Sequence, residues 1–207
     1  MNSLIQPEPL VLASTSPRRA ELLHEAGYRF EVVVPPLHEP EWVHPHVAPT
    51  LHAESLAYFK ARSVASTQAN KTILAADTIA VIEGEIIGKP VDHDDAGRIL
   101  RRLSGTTHSV ITGVVLLQPA TGRRLLQHGI SVVNVRVLDN AAIQSYLDTH
   151  AWEGKAGAYG VQDQDDPFIE RVSGSFTNVV GLPMELLARM FEHWVLEPKA
   201  ATTDSRG

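Results

Sequence analysis

Between Thr72 and Ile82 the chain reads Thr-Ile-Leu-Ala-Ala-Asp-Thr-Ile-Ala-Val-Ile, an apolar run broken by a single carboxylate. A stretch this long, rich in β-branched residues and free of Gly and Pro, reads as a buried strand. An unpaired carboxylate is costly to bury, so Asp77 needs a cation, a metal or a catalytic task. The alternative is a carboxylate capping a turn between two shorter strands, but nothing else in the run signals a turn. Glu83-Gly84-Glu85 does look like a turn. It leads into Ile86-Ile87-Gly88-Lys89-Pro90, so Lys89 is expected at the end of a short strand returning beside Asp77, as its ammonium partner around a phosphate.

A second feature is Leu12-Ala13-Ser14-Thr15-Ser16-Pro17-Arg18-Arg19-Ala20-Glu21-Leu22-Leu23, read as a short strand, a tight turn and a helix start. Ser16 suits the N-cap and Pro17 the first helical position. Leu22, Leu23 and Ala26 give the helix an apolar side, and Gly27 is a natural stop. Arg18 and Arg19 then fall in the first turn, where the helix dipole disfavours cations and stability alone would prefer acids. Free backbone N–H groups, the hydroxyls of Ser14 and Ser16 and two guanidinium forks together make a site for a polyphosphate. The plain alternative is a surface helix with solvated arginines.

The remaining elements frame these two. Phe30–Val34 reads as a strand stopped by Pro35-Pro36, and Leu37–Pro49 as a loop carrying His38, Glu39, Glu41, His44 and His46. A zinc site there would lack Cys ligands. Glu39 lies just after a strand, where an α/β sheet tends to place its ligands. Thr50 to about Ala69 reads as a helix with Leu56, Lys60 and Val64 on one stripe, the lysine either snorkelling or pointing into a site. Asp92–Leu103 reads as a helix, Val110–Leu117 and Ile130–Val137 as strands joined through Pro119-Ala120-Thr121-Gly122, Asn140 to about Thr149 as a helix capped by Asn140, and Leu182–Trp194 as a closing helix. Between them Gly154-Lys155-Ala156-Gly157-Ala158-Tyr159-Gly160-Val161-Gln162 is a glycine-rich segment that lets backbone approach a ligand, with the Gln162 amide suited to a base edge.

Composition limits the partners. The net charge of the 207 residues is −6, which argues against a broad nucleic-acid surface, so any positive site must be local. No apolar run is long enough for a membrane span, and the start lacks the basic-then-apolar pattern of a secretory signal. With no cysteine, thiol chemistry is excluded, and a cytoplasmic protein is expected. The residues before Leu10 read as a flexible leader and 197–207 as a flexible tail, around one domain at 10–196.

The sequence resembles the Maf family of nucleoside triphosphate pyrophosphatases. The matching pieces are Leu-Ala-Ser-Thr-Ser-Pro-Arg-Arg at 12–19, the Phe30 to Glu39 segment, Lys60-Ala61, Ala76-Asp77-Thr78, Gly88-Lys89-Pro90, Leu103 to His108, Lys155 to Gln162 and Gly181-Leu182-Pro183. They span almost the whole chain in family order. The resemblance implies an α/β fold like that of the inosine triphosphate pyrophosphatases, an elongated mixed sheet with two lobes flanking a central cleft. It implies hydrolysis between the α- and β-phosphates, giving a nucleoside monophosphate and pyrophosphate. Asp77 matches the family's active-site carboxylate, described as a proton acceptor. Arg18, Thr78 and Gln162 match the positions that set substrate preference and look like the subgroup acting on dTTP and UTP; the sister subgroup, preferring 7-methyl-GTP, has an aromatic residue, a glutamine and a glutamate there. Ser14, Arg19, Glu39, Lys60 and Lys89 match other residues of the family's cleft. Two departures are His38-Glu39, where the family often has an acidic pair, and Asp163-Gln164-Asp165-Asp166, where it usually has glycine. The family commonly forms dimers, so a homodimer is implied.

The expected chemistry agrees with these residues. Phosphoanhydride hydrolysis is mostly positioning and charge neutralisation. Arg18, Arg19, Lys60 and Lys89 can neutralise a triphosphate. Glu39 and Asp77 are hard oxygen ligands for a divalent metal, Mg²⁺ or Mn²⁺. Asp77 can take the proton of the attacking water, as base, as ligand or as both. A second reading, from the septum inhibition that names the family, is a nucleotide-binding regulator of cell division without significant turnover. Neither a P-loop nor a dinucleotide-binding glycine fingerprint is present.

Overall fold

The computed structural model describes residues 5–36, 47–161 and 168–196. In chain order the elements are β1 (Leu10–Ala13), α1 (Pro17–Glu25), β2 (Glu31–Val33), α2 (Pro49–Ser63), β3 (Thr72–Ile82), β4 (Glu85–Ile87), α3 (His93–Leu103), β5 (Thr107–Gln118), β6 (Arg123–Val135), α4 (Asn140–Leu147), a 3-10 turn at Ala156–Ala158, β7 (Ile169–Ser173), α5 (Phe176–Val180) and α6 (Met184–Leu196). Among the described residues seven strands form one mixed sheet in the order β2-β1-β3-β5-β6-β7, with β4 also paired to β3. β1 runs parallel to β2 and β3, while β3, β5, β6 and β7 form an antiparallel series.

β3 is the spine of this sheet, and ten of its eleven residues are buried. Strand alternation divides its side chains between two faces. Ile73 and Ala75 pack under α2 with Ala57, Ala61 and Val64. Leu74 and Ala76 face the other way, into a cluster with Leu23 of α1 and Leu187, Phe191 and Trp194 of α6. Farther along, Ala80 and Ile82 enter a separate cluster with Leu100 of α3, Leu147 of α4 and Trp152. Two helical lobes therefore stand side by side on one face of the sheet, with Thr78 at the seam, and α2 covers the opposite face. This is the elongated sheet with two lobes expected from the sequence.

α2 lies unusually close to the sheet because the residue beneath it has no side chain. A Cβ at Gly113 would overlap the Ala53 carbonyl group and lie 2.5 Å from Glu54 N. Gly113 is the cross-strand partner of Asp77. The same close approach that forbids a side chain on β5 therefore brings α2 down onto the Asp77 side of β3.

Several boundaries differ from the pattern-based expectation. α2 stops at Ser63 rather than near Ala69. β6 begins at Arg123, seven residues before the expected Ile130, because the hairpin turn at Pro119–Gly122 pairs the strands at once; its outer residues are exposed, so hydrophobicity does not mark it. The N-cap of α4 is Asp139, whose carboxylate accepts from Ala142 N at 2.7 Å, and not Asn140. β7 and α5 were not foreseen; both are five-residue elements, too short for a periodic signal. Among the described residues no helix is long and apolar enough to cross a membrane.

Candidate active site

The cleft originates in the pairing of β3. On one edge β1 pairs with Thr72–Ala75 and β4 with Ala80–Ile82. Among the described residues, none pairs as a strand with 76–79, Asp77 among them, on that edge. β1 ends there and turns into α1, whose first turn forms one wall. The opening is a cavity of about 330 Å³, lined by Thr15 to Arg19, Lys60, Asp77 to Ala80, Lys89, Glu153 to Ala156, Tyr159 to Val161 and Val179 to Gly181. It sits at the carboxyl end of a parallel strand and a helix N-terminus, where α/β sheets bind ligands.

Asp77 is buried and its Oδ1 is paired with Lys60 Nζ. Lys60 is on the sheet-facing stripe of α2, between Leu56 and Val64, both buried. Its ammonium leaves that stripe for the cleft rather than for solvent. This corrects one expectation: among the described residues the ammonium paired with Asp77 is that of Lys60, not Lys89. Lys89, two residues past the end of β4, lines the same cavity.

Arg19 is buried and held at all three nitrogens: Nε donates to Gly181 O at 2.8 Å, Nη1 to Ser14 Oγ at 3.3 Å and Nη2 to Thr78 Oγ1 at 3.1 Å. These three acceptors, one carbonyl and two hydroxyls, fix the plane of the guanidinium at the cavity wall. The Thr78 hydroxyl continues a chain of fixed direction. Thr112 Oγ1 donates its proton to Asn178 O at 2.9 Å, so in the 2.9 Å pair between the two threonines the donor is Thr78. Ser14 does not line the cavity. It is buried behind the wall, where its Oγ also accepts from Ser16 N at 3.1 Å. Ser16 occupies the N-cap of α1 but makes no side-chain cap bond. The cap expected of Ser16 is replaced by this inverse contact, which leaves Ser16 on the cavity wall.

Arg18 lies across the cleft and donates to Val161 O at 3.3 Å. The segment beyond it brings Lys155, a residue the sequence reading left unassigned. A backbone bond from Gly157 N to Gly88 O at 3.3 Å ties this segment to the end of β4, next to Lys89. Five cationic side chains (Arg18, Arg19, Lys60, Lys89 and Lys155) thus line the cavity, against the carboxylates of Asp77 and Glu153. In a chain of net charge −6, that is a concentrated positive site, suited to a polyanion.

Behind this wall, Tyr159 is held by His108, with His108 Nε2 and Tyr159 Oη 2.7 Å apart. His108 is buried and its Nδ1 has no hydrogen-bond partner. Burial pulls its pKa from 6.5 down to about 4, so the ring is neutral at physiological pH. The cheaper tautomer leaves the orphan Nδ1 as an unpaired acceptor and lets Nε2–H donate to the phenol oxygen.

Of the residues singled out from sequence, Arg18, Arg19, Lys60, Asp77, Thr78 and Lys89 meet at one cavity. Glu39 and Gln162 lie outside the described residues, as do His38, His44 and His46. Lys155, Glu153, Tyr159, Thr112 and His108 were not predicted as site residues. The legible signals were the placement of Lys155 and Tyr159 in a glycine-rich segment and of His108 in one of the family-matching pieces. Thr112 acts from within β5, and nothing in a strand pattern marks it. Among the described residues no three His, Asp or Glu side chains gather to cage a metal. Asp77 and Glu153 are carboxylates on the cavity wall.

A family model described as Maf-like protein matches residues 9–194. A dTTP/UTP pyrophosphatase of Ruminiclostridium cellulolyticum is 40% identical over 188 residues, 88% of this chain and 94% of the relative. One from Symbiobacterium thermophilum is 42% identical over 183 residues, 88% of this chain and 92% of the relative. One from Salinibacter ruber is 42% identical over 191 residues, 91% of this chain and 93% of the relative.

Proposed function

This chain belongs to the Maf family, and from that premise we propose that it hydrolyses dTTP and UTP to the nucleoside monophosphate and pyrophosphate. The observation that carries the reading is the meeting of Asp77 with five cations on the open edge of β3. In the reaction a water oxygen bonds to phosphorus as the α–β bridging P–O bond breaks. The water's proton passes to the Asp77 carboxylate, whose orientation Lys60 fixes. Negative charge grows on the departing pyrophosphate, and the cations of the cavity wall, Arg18, Arg19 and Lys89, would neutralise it. Arg19 is oriented by bonds to Gly181 O, Ser14 Oγ and Thr78 Oγ1, so its guanidinium is positioned before the ligand arrives and little reorganisation is needed. Arg18, Thr78 and Gln162 match the positions that set substrate preference in the family, with the Gln162 amide suited to a base edge.

The residues that would hold a divalent metal, Mg²⁺ or Mn²⁺, are Asp77 and Glu39. Bound there, the ion would neutralise phosphate charge and lower the pKa of a bound water.

Asp77→Asn removes the proton acceptor at nearly constant shape. We expect release of monophosphate and pyrophosphate from UTP to fall at least about 10³-fold, an upper-range loss for a positioned base, with the folded circular dichroism spectrum retained. Wild-type-like turnover by this variant, or a wild-type protein that binds UTP and leaves it uncleaved with Mg²⁺ present, would overturn the reading.

A further inference from the structure

We propose that Lys155 is a further substrate-binding residue, and that with Arg18 it forms a two-cation clasp over Gly160 for an anionic phosphate oxygen. The proposal rests on the nucleotide reading above and deepens it. A Cβ built on Gly160 would lie 2.6 Å from Arg18 Nη2 and 2.6 Å from Lys155 Nζ. The two cationic nitrogens are therefore at most twice that distance apart, coming from positions far separated in sequence. Two cationic donors this close on the cavity wall can bond one anionic oxygen together.

The surrounding backbone fixes this arrangement. Gly160 N donates to Tyr146 Oη at 3.1 Å, and Val161 O accepts from Arg18. Gly157 and Ala158 are consecutive left-handed residues, at φ of 75° and 59°. For buried Ala158 that is a strained conformation, held by its neighbours. Lys155 precedes this left-handed pair, and Gly160 follows it with no side chain between the two cations. Gly160 is thus a glycine for a reason of space: any side chain would part them. The atoms in its way are the far ends of flexible side chains, so alanine there displaces the clasp and leaves the fold intact.

The test uses the full chain with Mg²⁺ and two readouts, steady-state hydrolysis of UTP and calorimetric binding of inorganic tripolyphosphate. Lys155→Met keeps the stem and removes the charge. Loss of one charge-assisted contact lowers kcat/KM for UTP about 10- to 100-fold, chiefly through KM, and weakens tripolyphosphate by a similar factor. Lys155→Arg restores most of both, which a merely structural role would not predict. Gly160→Ala matches Lys155→Met while keeping the wild-type melting temperature. If the wild type cleaves UTP and Lys155→Met has wild-type kinetics and wild-type tripolyphosphate affinity, the clasp is wrong and the hydrolase reading stands. If the wild type cleaves no nucleotide yet binds tripolyphosphate in a Lys155-dependent way, the clasp stands and the hydrolase reading fails.

Discussion

Lowering the pH from 7 to 5 and comparing the wild type with a His108→Gln variant measures what a buried neutral imidazole costs this fold. In the unfolded chain His108 binds a proton at about the ordinary 6.5; in the folded protein burial lowers this to about 4. Between those values the unfolded state binds the proton and the folded state refuses it, so stability is fully present above pH 6.5 and is lost as the pH falls toward 4. At ~1.4 kcal/mol per tenfold, the loss by pH 5 is about 2 kcal/mol, rising to about 3 kcal/mol below pH 4. Glutamine offers the Tyr159 phenol an amide and does not titrate. Whatever the two proteins share cancels in the difference. Urea unfolding at a series of pH values is the assay. With a slope of about 2 kcal/mol per molar, the wild-type midpoint falls about 1 M further than that of the variant between pH 7 and pH 5. Midpoints that fall in parallel would show that His108 is charged, or open to water, in the native state, and the buried His108–Tyr159 contact would have to be abandoned.

Two further outcomes follow from the same packing. Gly113→Ala drives a methyl into the backbone of Ala53 and Glu54; because backbone cannot swing aside, thermal unfolding is expected to show a loss at or above the upper end of the ~1–3 kcal/mol typical of overpacking. Lifting α2 also carries Lys60 away from Asp77, so UTP turnover falls as well, and a variant as stable and active as wild type would contradict the close helix–sheet approach. Thr112→Val removes the donor to Asn178 O and the acceptor for Thr78; about 1–3 kcal/mol of stability is lost in urea, and no measurable change would mean that the directed hydroxyl chain does not exist.

The strand at Thr72–Ile82, its lone acid and the arginine-bearing helix start could be read from the residues alone. Buried strands and capped helices write themselves into local composition: Asp77 stands out because its neighbours are apolar, Arg18 and Arg19 because the dipole opposes them. The family motifs added the roles. The partner of Asp77, the Thr78 and Gly181 contacts that orient Arg19, and the arrival of Lys155 beside Arg18 depend on contacts between residues distant in the chain. Lys89 and Lys60 are equally good ammonium donors in sequence; Lys60 pairs with Asp77 because Gly113, on a different strand, lets α2 come close. Local patterns specify which surfaces want burial, through periodicities of two and 3.6 residues. Which charges then meet is decided by how those surfaces stack, a matter of volume and register that no single segment encodes.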